Sequence, residues 1–275
     1  MATVIVPAHN EASVIQACLD SIMNQEGVDT VIVACNGCTD NTAEIVSQHY
    51  PDIICLDIAK PSKTNALNEA EQYISSYPVF YLDADTVISP GTVSKISQYM
   101  QQHPEILLSA PTPKIDTANS SWFVKQYYKI WLQLPYIKDG VIGTCSFIIS
   151  EAGRKRFQKF PDIINDDGYV RCCFDSHERM NIDNTSIYIK APRTLYSLIK
   201  IKTRARLGNM QLEALQLCAK PKQADYSGSM KKRLLSKQFI PALVYIGIAL
   251  MIRIRARQQF KQLDSYTWEK DLTSR

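Results

Sequence analysis

The chain has 275 residues, of which 45% are hydrophobic and 21% charged, and its formal net charge is +4. This composition is typical of a globular protein with a substantial core, and it argues against a fibrous or disordered chain. The first apolar run begins at Thr3 with no secretory signal before it. We therefore expect the eight cysteines to be free thiols in a reducing cytoplasm.

Short apolar runs rich in β-branched residues alternate with helical patterns in the first 110 residues. The runs predict strands buried on both faces, at residues 3–7, 31–34, 53–57, 79–82 and 106–110. Two groups of apolar residues each share a helix face: Val14, Ile15, Cys18, Leu19 and Ile22, then Ala66, Leu67, Ala70, Tyr73 and Ile74. Residues suited to capping or starting helices stand before the helical patterns: Thr39 or Asp40, Ser62 and Pro90. The alternation predicts an α/β fold with a mostly parallel sheet and a ligand crevice at the carboxyl ends of the strands.

Asp83 and Asp85 stand immediately after the apolar run at residues 79–82. A strand that ends in two carboxylates holds them rigidly at the edge where α/β folds bind ligands. Oxygen ligands suit a hard cation such as Mg²⁺ or Mn²⁺, which is normally shared with substrate phosphates. The pattern predicts a metal–diphosphate site. The alternative is that Asp85 only starts the turn and helix that follow.

Aromatic side chains are concentrated between residues 122 and 136. Tyr127, Tyr128 and Trp131 fall at helical spacing, so core packing is the first expectation for them. Aromatic faces also stack on sugar rings, which leaves an acceptor platform as the alternative.

The segment from residue 226 to residue 263 contains eight basic residues and no acidic one. Inside it, residues 239–252 carry no charge, but this run is shorter than the roughly 18 to 20 residues of a spanning helix. An apolar block bracketed by Lys and Arg predicts a helix that lies on an anionic membrane surface, and a buried core helix is the alternative. We do not expect nucleic-acid binding, because the basic residues bracket the block and do not line one helix face.

Four motifs occur in a fixed order: VIVPAHNE at 4–11, CNGCTDNT at 35–42, SKTNALN at 62–68 and LDAD at 82–85. In this order and spacing they resemble the family-2 glycosyltransferases of GT-A fold, a Rossmann-like sheet flanked by helices. The resemblance covers about the first 210 residues. It divides the chain into a GT-A domain at 1–210 and a C-terminal helical extension at 211–275, and the residues from Trp268 onward resemble the tail of bacterial polysaccharide-type members.

The resemblance implies a site for a nucleotide-diphosphate sugar. The residues matched to donor binding are Pro7, His9, Glu11, Asn36, Asp40, Lys63 and Asp83, of which the first three would hold the base and ribose. Lys63 would lie near the diphosphate. Asp85 would bind Mg²⁺ or Mn²⁺, and Asp83 would hold the ribose or support the metal. Asn36 follows Cys35 where the family commonly has paired aspartates that read uracil, so the base is not fixed by the motif.

A second acidic pair matches the family's general base. Asp166 and Asp167 resemble the pair that stands before a helix, in which the second carboxylate accepts the proton of the acceptor hydroxyl. An exposed acidic turn is the alternative. Arg204 and Arg206 lie where many relatives carry a Gln-x-x-Arg-Trp element facing the diphosphate, and either guanidinium is suited to phosphate oxygens.

The resemblance implies a metal-dependent, inverting transferase of single sugars, acting on a glycan or lipid-linked acceptor. We expect a cytoplasmic protein, with a peripheral location on the inner face of the cell membrane if the C-terminal segment is an anchor. Two other functions stay open: a catalytically inactive nucleotide-sugar-binding scaffold, and a sugar-nucleotide pyrophosphorylase. The pyrophosphorylase is disfavoured because no Gly-rich loop follows the first predicted strand.

Overall fold

The computed structural model describes residues 1–138, 140–141, 144–218, 233–263, 266, 269–271 and 273–274. The chain divides into two compact units. The first unit comprises Met1–Lys114, Gly140–Asp162 and Cys173–Ile189, and the second comprises Ile115–Asp139, Ile163–Cys172 and Lys190–Arg275. A domain boundary at residue 210 stays a prediction.

Strands and helices alternate through most of the chain. In chain order they are β1 (Ala2–Ala8), α1 (Ile15–Met23), β2 (Val28–Asn36), α2 (Thr42–His49), β3 (Ile54–Ile58), α3 (Lys63–Ala70), β4 (Val79–Leu82), β5 (Thr86–Ile88), α4 (Thr92–Gln102), β6 (Leu108–Asp116), α5 (Trp122–Trp131), α6 (Pro135–Lys138), β7 (Ser146–Ile149), α7 (Glu151–Arg154), α8 (Asp166–Cys172), β8 (Arg179–Lys190), α9 (Leu195–Ala214) and α10 (Phe239–Phe260).

The strands form a mixed sheet of eight strands in the order β3-β2-β1-β4-β7-β6-β8-β5. β1 pairs in parallel with β2 and β4, and β2 pairs in parallel with β3. β7 pairs antiparallel with β4 and β6, and β5 pairs antiparallel with β8. The predicted α/β fold is confirmed. The run at 106–110 contributes β6, but β7 lies between it and β4, so only half of the sheet is parallel.

The parallel strands β1 and β4 are buried because they are apolar on both faces, whereas the edge strand β3 is partly exposed, so the prediction of burial on both faces is wrong for residues 53–57. Every residue of β1 and of β4 is buried. On one side of them α1 buries the predicted face with Ile15, Cys18 and Leu19. The prediction for the second helical pattern is wrong at its end, because α3 stops at Ala70 and a 3-10 turn follows it at Glu71–Tyr73.

In the second unit, α10 packs against α5 and α9. Tyr127 of α5 stacks on Tyr245 of α10 with 5.1 Å between ring centroids. Tyr127, Tyr128 and Trp131 are buried, which confirms core packing for them. Lys202 of α9 lies over the Trp131 ring, 3.8 Å from its centroid.

One pair of cysteines is bonded, against the expectation of free thiols. Cys172, at the end of α8, forms a disulfide with Cys218, just after α9. The two are 46 residues apart in the sequence, so only the packing of α8 and α9 brings them together. The other six cysteines form no disulfide.

Candidate active site

The loops after β1 and β2 are joined by hydrogen bonds in the first unit. His9 Nδ1 is 2.6 Å from the carbonyl oxygen of Asn36. Asn10 has a left-handed backbone with φ 53°, and its Oδ1 accepts a hydrogen bond of 2.7 Å from the Thr39 amide. The Glu11 amide donates to Thr42 Oγ1 at 2.8 Å. The two loops therefore form one rigid edge at the carboxyl ends of paired parallel strands, where α/β folds bind ligands.

Several of the predicted donor-binding residues have a structural contact here. Pro7 is buried inside β1. Asn36 is buried, and its side-chain amide donates to the carbonyl oxygens of Ala8 and Ala34. Asp40 accepts hydrogen bonds from the amides of Ala12 and Thr42, but the prediction that Thr39 or Asp40 caps α2 is wrong, because the N-cap is Asn41. Their roles in donor binding stay predictions.

Asp83 and Asp85 follow β4, the third parallel strand at this edge. The Asp83 amide donates to the carbonyl of Cys145 at 2.9 Å, and the Asp83 carbonyl accepts from the amide and hydroxyl of Thr86. This turn separates β4 from β5 and leaves both carboxylates half-buried around the buried Ala84.

Lys63 forms an ion pair with Asp83. Its Nζ is 2.7 Å from Asp83 Oδ1, and the two side chains are 26% and 33% exposed. Lys63 is the first residue of α3, whose cap is Ser62, as predicted, with the Ser62 hydroxyl accepting from the Asn65 amide. A cation is thereby fixed beside the carboxylates, where a diphosphate would need one.

The donor atoms at this edge suit a hard divalent cation. Asp83 and Asp85 offer carboxylate oxygens and no sulfur or nitrogen ligand. Within the described ranges, no group of three or more His, Cys, Asp or Glu side chains could hold a metal ion. Two carboxylates leave most positions to water and phosphate, which is how Mg²⁺ is usually bound at nucleotide sites.

The second acidic pair lies in the second unit. Asp166 and Asp167 form the first turn of α8, not a loop before it. Asp166 is 5% exposed, which contradicts an exposed acidic turn. Asp167 is half-buried and its Oδ1 accepts a hydrogen bond of 2.7 Å from the Gly168 amide. The helix start favours negative charge at both positions.

Helix α9 supports the segment that leads into this pair. Gln211 Oε1 accepts from the Ile164 amide at 2.9 Å, and Asn209 Oδ1 accepts from Asn165 Nδ2 at 2.6 Å. Gly208 lets the segment approach closely, since a Cβ there would lie 2.5 Å from the Cβ of Asn165. Sequence reasoning did not find this support.

The two predicted arginines also lie on α9. Arg204 Nη1 donates to the carbonyl of Glu269 at 3.0 Å, and the carboxylate of Glu269 pairs with Arg255 of α10. Arg206 is exposed. The positions of Arg204 and Arg206 do not test a contact with the diphosphate, so this contact stays a prediction. Trp268 lies outside the described residues.

Sequence reasoning also missed a thiol cluster at the edge of the first unit. Cys35 and Cys38 have Cys-x-x-Cys spacing across the turn after β2, and this spacing could have predicted the cluster. Both pack with Cys55 of β3 against the core.

Residues 3–157 match the family model "Glycosyl transferase family 2". The chain belongs to this family. The predicted family is thus confirmed, and the match contains the loops after β1 and β2, Lys63 and both carboxylates after β4.

Family-2 relatives with named activities match shorter segments. A chondroitin synthase of Pasteurella multocida (strain Pm70) is 33% identical over 97 residues, which is 34% of this chain and 10% of that protein. A poly-beta-1,6-N-acetyl-D-glucosamine synthase of Staphylococcus epidermidis is 30% identical over 121 residues, which is 42% of this chain and 29% of that protein. The matched segments therefore span less than a third of the length of either relative.

Solved structures share the fold. A mannosyltransferase from Pyrobaculum calidifontis, solved with GDP-Man and Mn²⁺, has a TM-score of 0.63 at 16% identity, covering 96% of this chain and 79% of that one. At this identity the likeness supports the GT-A fold alone.

Proposed function

We propose that this family-2 chain transfers a single sugar from a nucleotide-diphosphate sugar to an acceptor hydroxyl, with inversion at the anomeric carbon, in polysaccharide or glycoconjugate synthesis. The observation that carries the proposal is the edge of the first unit, where the ends of β1, β2 and β4 place joined loops beside two carboxylates and a lysine. The named activities of the relatives support the polysaccharide context.

At this edge His9 and Glu11 would face the base and ribose, and Lys63 the diphosphate. Asp83 and Asp85 would hold Mg²⁺ or Mn²⁺, which supplies positive charge for the leaving diphosphate when bound. Lys63 is already oriented by Asp83, so its ammonium needs little reorganisation to meet phosphate oxygens. The neighbour solved with GDP-Man and Mn²⁺ supports a divalent metal.

Asp167 would accept the proton of the acceptor hydroxyl as that oxygen attacks the anomeric carbon. The bond to the diphosphate breaks on the opposite side of the sugar, which inverts the configuration. A positioned base typically contributes about 10² to 10⁴-fold in rate. Asp166, buried beneath it in α8, would fix the helix start, and Arg204 or Arg206 would add charge near the departing diphosphate.

The test is nucleoside diphosphate release by the full chain across UDP-, GDP- and dTDP-sugars, with Mn²⁺ or with excess EDTA. We expect one donor to be turned over, and Asp85→Asn and Asp167→Asn each to lower turnover at least about 10²-fold. Asp162→Asn is the matched control, because Asp162 is a 79% exposed carboxylate in the same unit as Asp85. Donor binding without turnover would support the inactive scaffold, and nucleoside triphosphate formed from donor and pyrophosphate would support the pyrophosphorylase.

The outward face of α10 supports a peripheral membrane location. Large apolar side chains recur at spacings of three or four residues, each at least 39% exposed: Phe239, Leu243, Ile246, Leu250 and Ile254. The same stripe continues into the exposed Arg257 and Lys261. Ile248, Ile252 and Ala256 bury the opposite face, where α10 packs on α5 and α9.

By length and composition α10 is the one helix in the described ranges apolar enough to cross a membrane. Because the inner face of α10 is part of the core of the second unit, a location in the plane of the membrane–water interface suits this helix better than a span across the membrane. An apolar stripe that ends in basic residues fits the boundary between acyl chains and anionic headgroups, at about 1 kcal/mol per basic residue. Lys231 and Lys232, the predicted basic residues before the helix, lie outside the described residues.

Flotation with vesicles tests this location. The full chain should float with vesicles that contain anionic lipid and much less with neutral ones. The double variant Leu243→Gln/Leu250→Gln removes apolar side chains from the exposed stripe only, and it should lose most of the flotation while keeping its thermal unfolding midpoint. Unchanged flotation of this variant would reject the membrane role.

A further inference from the structure

Three thiols lie together at the edge of the first unit. Cys35 is fully buried at the end of β2, Cys38 is half-buried in the turn after it, and Cys55 stands on the neighbouring strand β3. In the parallel register Cys55 pairs with Val33. Val33 stands two residues before Cys35 and therefore on the same face of β2. The Cys38 Sγ contacts the carbonyl of Ala8, and Ala8 pairs with Cys35 in the parallel register of β1 and β2, so the three cysteines belong to one cluster.

Cys38 has the environment of a reactive thiol. Its Sγ accepts a hydrogen bond of 3.5 Å from the Asn10 amide, and its thiol donates one of 3.5 Å to the carbonyl oxygen of Ala8. The hydrogen bond with Cys35 has the largest effect and lowers the pKa of Cys38. Burial opposes it and the Asn10 contact adds to it, so that the pKa of Cys38 falls to about 6. Contacts with Cys38 and Cys55, together with burial, raise the pKa of Cys35. A half-buried thiol whose pKa is lowered, close to a buried thiol whose pKa is raised, is the arrangement of an oxidisable dithiol.

We propose that Cys35 and Cys38 form a reversible dithiol–disulfide site in which Cys38 is the nucleophile. With a peroxide as oxidant, the Cys38 thiolate attacks one oxygen of hydrogen peroxide, forming an S–O bond and releasing hydroxide. The Cys35 sulfur then displaces hydroxide from the Cys38 sulfenic acid, and its proton leaves with that oxygen as water. The two cysteines are oxidised by two electrons in total, and the peroxide is reduced to one water and one hydroxide, which takes a proton from solvent.

Closing this bond would alter the edge where the donor is proposed to bind. In the thiol form, Cys38 holds the loop after β1 through Ala8 and Asn10. A Cys38 sulfur bonded to Cys35 has no proton left to donate to the Ala8 carbonyl. We therefore expect donor affinity about fivefold lower in the oxidised protein, the equivalent of about one lost hydrogen bond, and this part rests on the proposed function.

The reactivity of the Cys38 thiol can be measured without any activity assay. Cleavage before aspartates releases residues 29–39, whose only thiols are Cys35 and Cys38. With limiting N-ethylmaleimide at pH 7, Cys38 should react about tenfold faster than the half-buried Cys145 and Cys173, which serve as internal controls. Equal rates would overturn the assignment of Cys38 as nucleophile.

Peroxide distinguishes a dithiol from packed cysteines. After brief treatment of the full chain, the 29–39 peptide should lose two hydrogens in mass and regain them with dithiothreitol. Cys35→Ala should instead accumulate over-oxidised Cys38, and Cys38→Ser should leave Cys35 unoxidised. A link from either cysteine to Cys55, or no mass loss at all, would overturn the proposal.

Donor binding by the same samples separates the two proposals. If the reduced chain binds no nucleotide sugar, the proposed function fails while the mass result stands. If the reduced chain binds donor and the disulfide form binds it equally well, the dithiol–disulfide site is supported. The proposed loss of donor affinity on oxidation is then refuted.

Discussion

Replacing Gly208 by alanine tests whether α9 positions the acidic pair. Gly208 lies within α9, where alanine is intrinsically favoured over glycine by about 1 kcal/mol. Its new Cβ would lie 2.5 Å from Asn165 Cβ, 3.1 Å from Asn165 N and 3.3 Å from Asn165 Cα. The first of these distances is about 1 Å short of ordinary contact, and two of the three atoms belong to the backbone, so the segment before Asp166 must move.

Overpacking of this kind typically costs about 1–3 kcal/mol, which outweighs the gain in helix propensity. We expect Gly208→Ala to be up to about 2 kcal/mol less stable than the parent chain. Gly247→Ala is the matched control, because Gly247 is also inside a helix of the second unit and a Cβ there meets nothing within 4 Å. The control should be more stable than the parent by up to about 1 kcal/mol.

The kinetic consequence follows from the displacement. A shift of about 1 Å in a catalytic group can cost about 10²-fold in rate, so Gly208→Ala should lower kcat strongly and leave the KM for the donor nearly unchanged. Asn165→Gly in the same chain removes the closest clashing atom and should restore part of kcat. Urea unfolding and steady-state kinetics measure both effects. Equal stabilisation by Gly208→Ala and Gly247→Ala would refute the close contact, and an unchanged kcat would refute the positioning role.

Other substitutions have equally defined outcomes. Asp167→Asn should lower turnover while donor affinity, measured by calorimetry with Mn²⁺, stays within about twofold of the parent. Lys63→Ala should weaken donor binding by about tenfold, whereas Lys60→Ala, at a 61% exposed lysine just before α3, should leave the measured Kd unchanged. Arg154→Met should lower the free energy of unfolding in urea by about 3 kcal/mol, since it leaves the nearly buried Glu71 carboxylate without its guanidinium partner; a loss under 1 kcal/mol would contradict that pairing.

The parallel half of the sheet could be predicted because its strands carry their own signal. β1 and β4 are apolar at nearly every position, which is typical of strands buried on both faces. β5 has three residues, too few to distinguish a strand from a turn, and β7 has four residues that begin with the polar Ser146. β8 is half polar with partly exposed residues, so it carries no continuous apolar run. Of the antiparallel half of the sheet, only the start of β6 was predicted, and β5, β7 and β8 were missed.

The carboxylates of the candidate site could be predicted, but not what supports them. Asp83 and Asp85 belong to a local motif at a strand end, so the sequence alone brings the two carboxylates together. Asn165 depends on Asn209, which is 44 residues away along the chain. No periodicity in one sequence reveals such a pair. The same reason explains the wrong expectation for Cys172 and Cys218.

Helix α10 shows why composition alone left two alternatives open. Its residues are apolar all round for four turns, which fits a core helix as well as a membrane-surface helix. The structure distinguishes the two faces by exposure: Ala242, Ala256, Ile248 and Ile252 are buried, while Phe239 and the leucines are exposed. Small residues allow close packing on α5 and α9, and large exposed ones serve no packing purpose in water. A contiguous apolar stripe of this length on a soluble surface favours association with an apolar phase, and the basic residues at its end favour an anionic lipid over a protein partner.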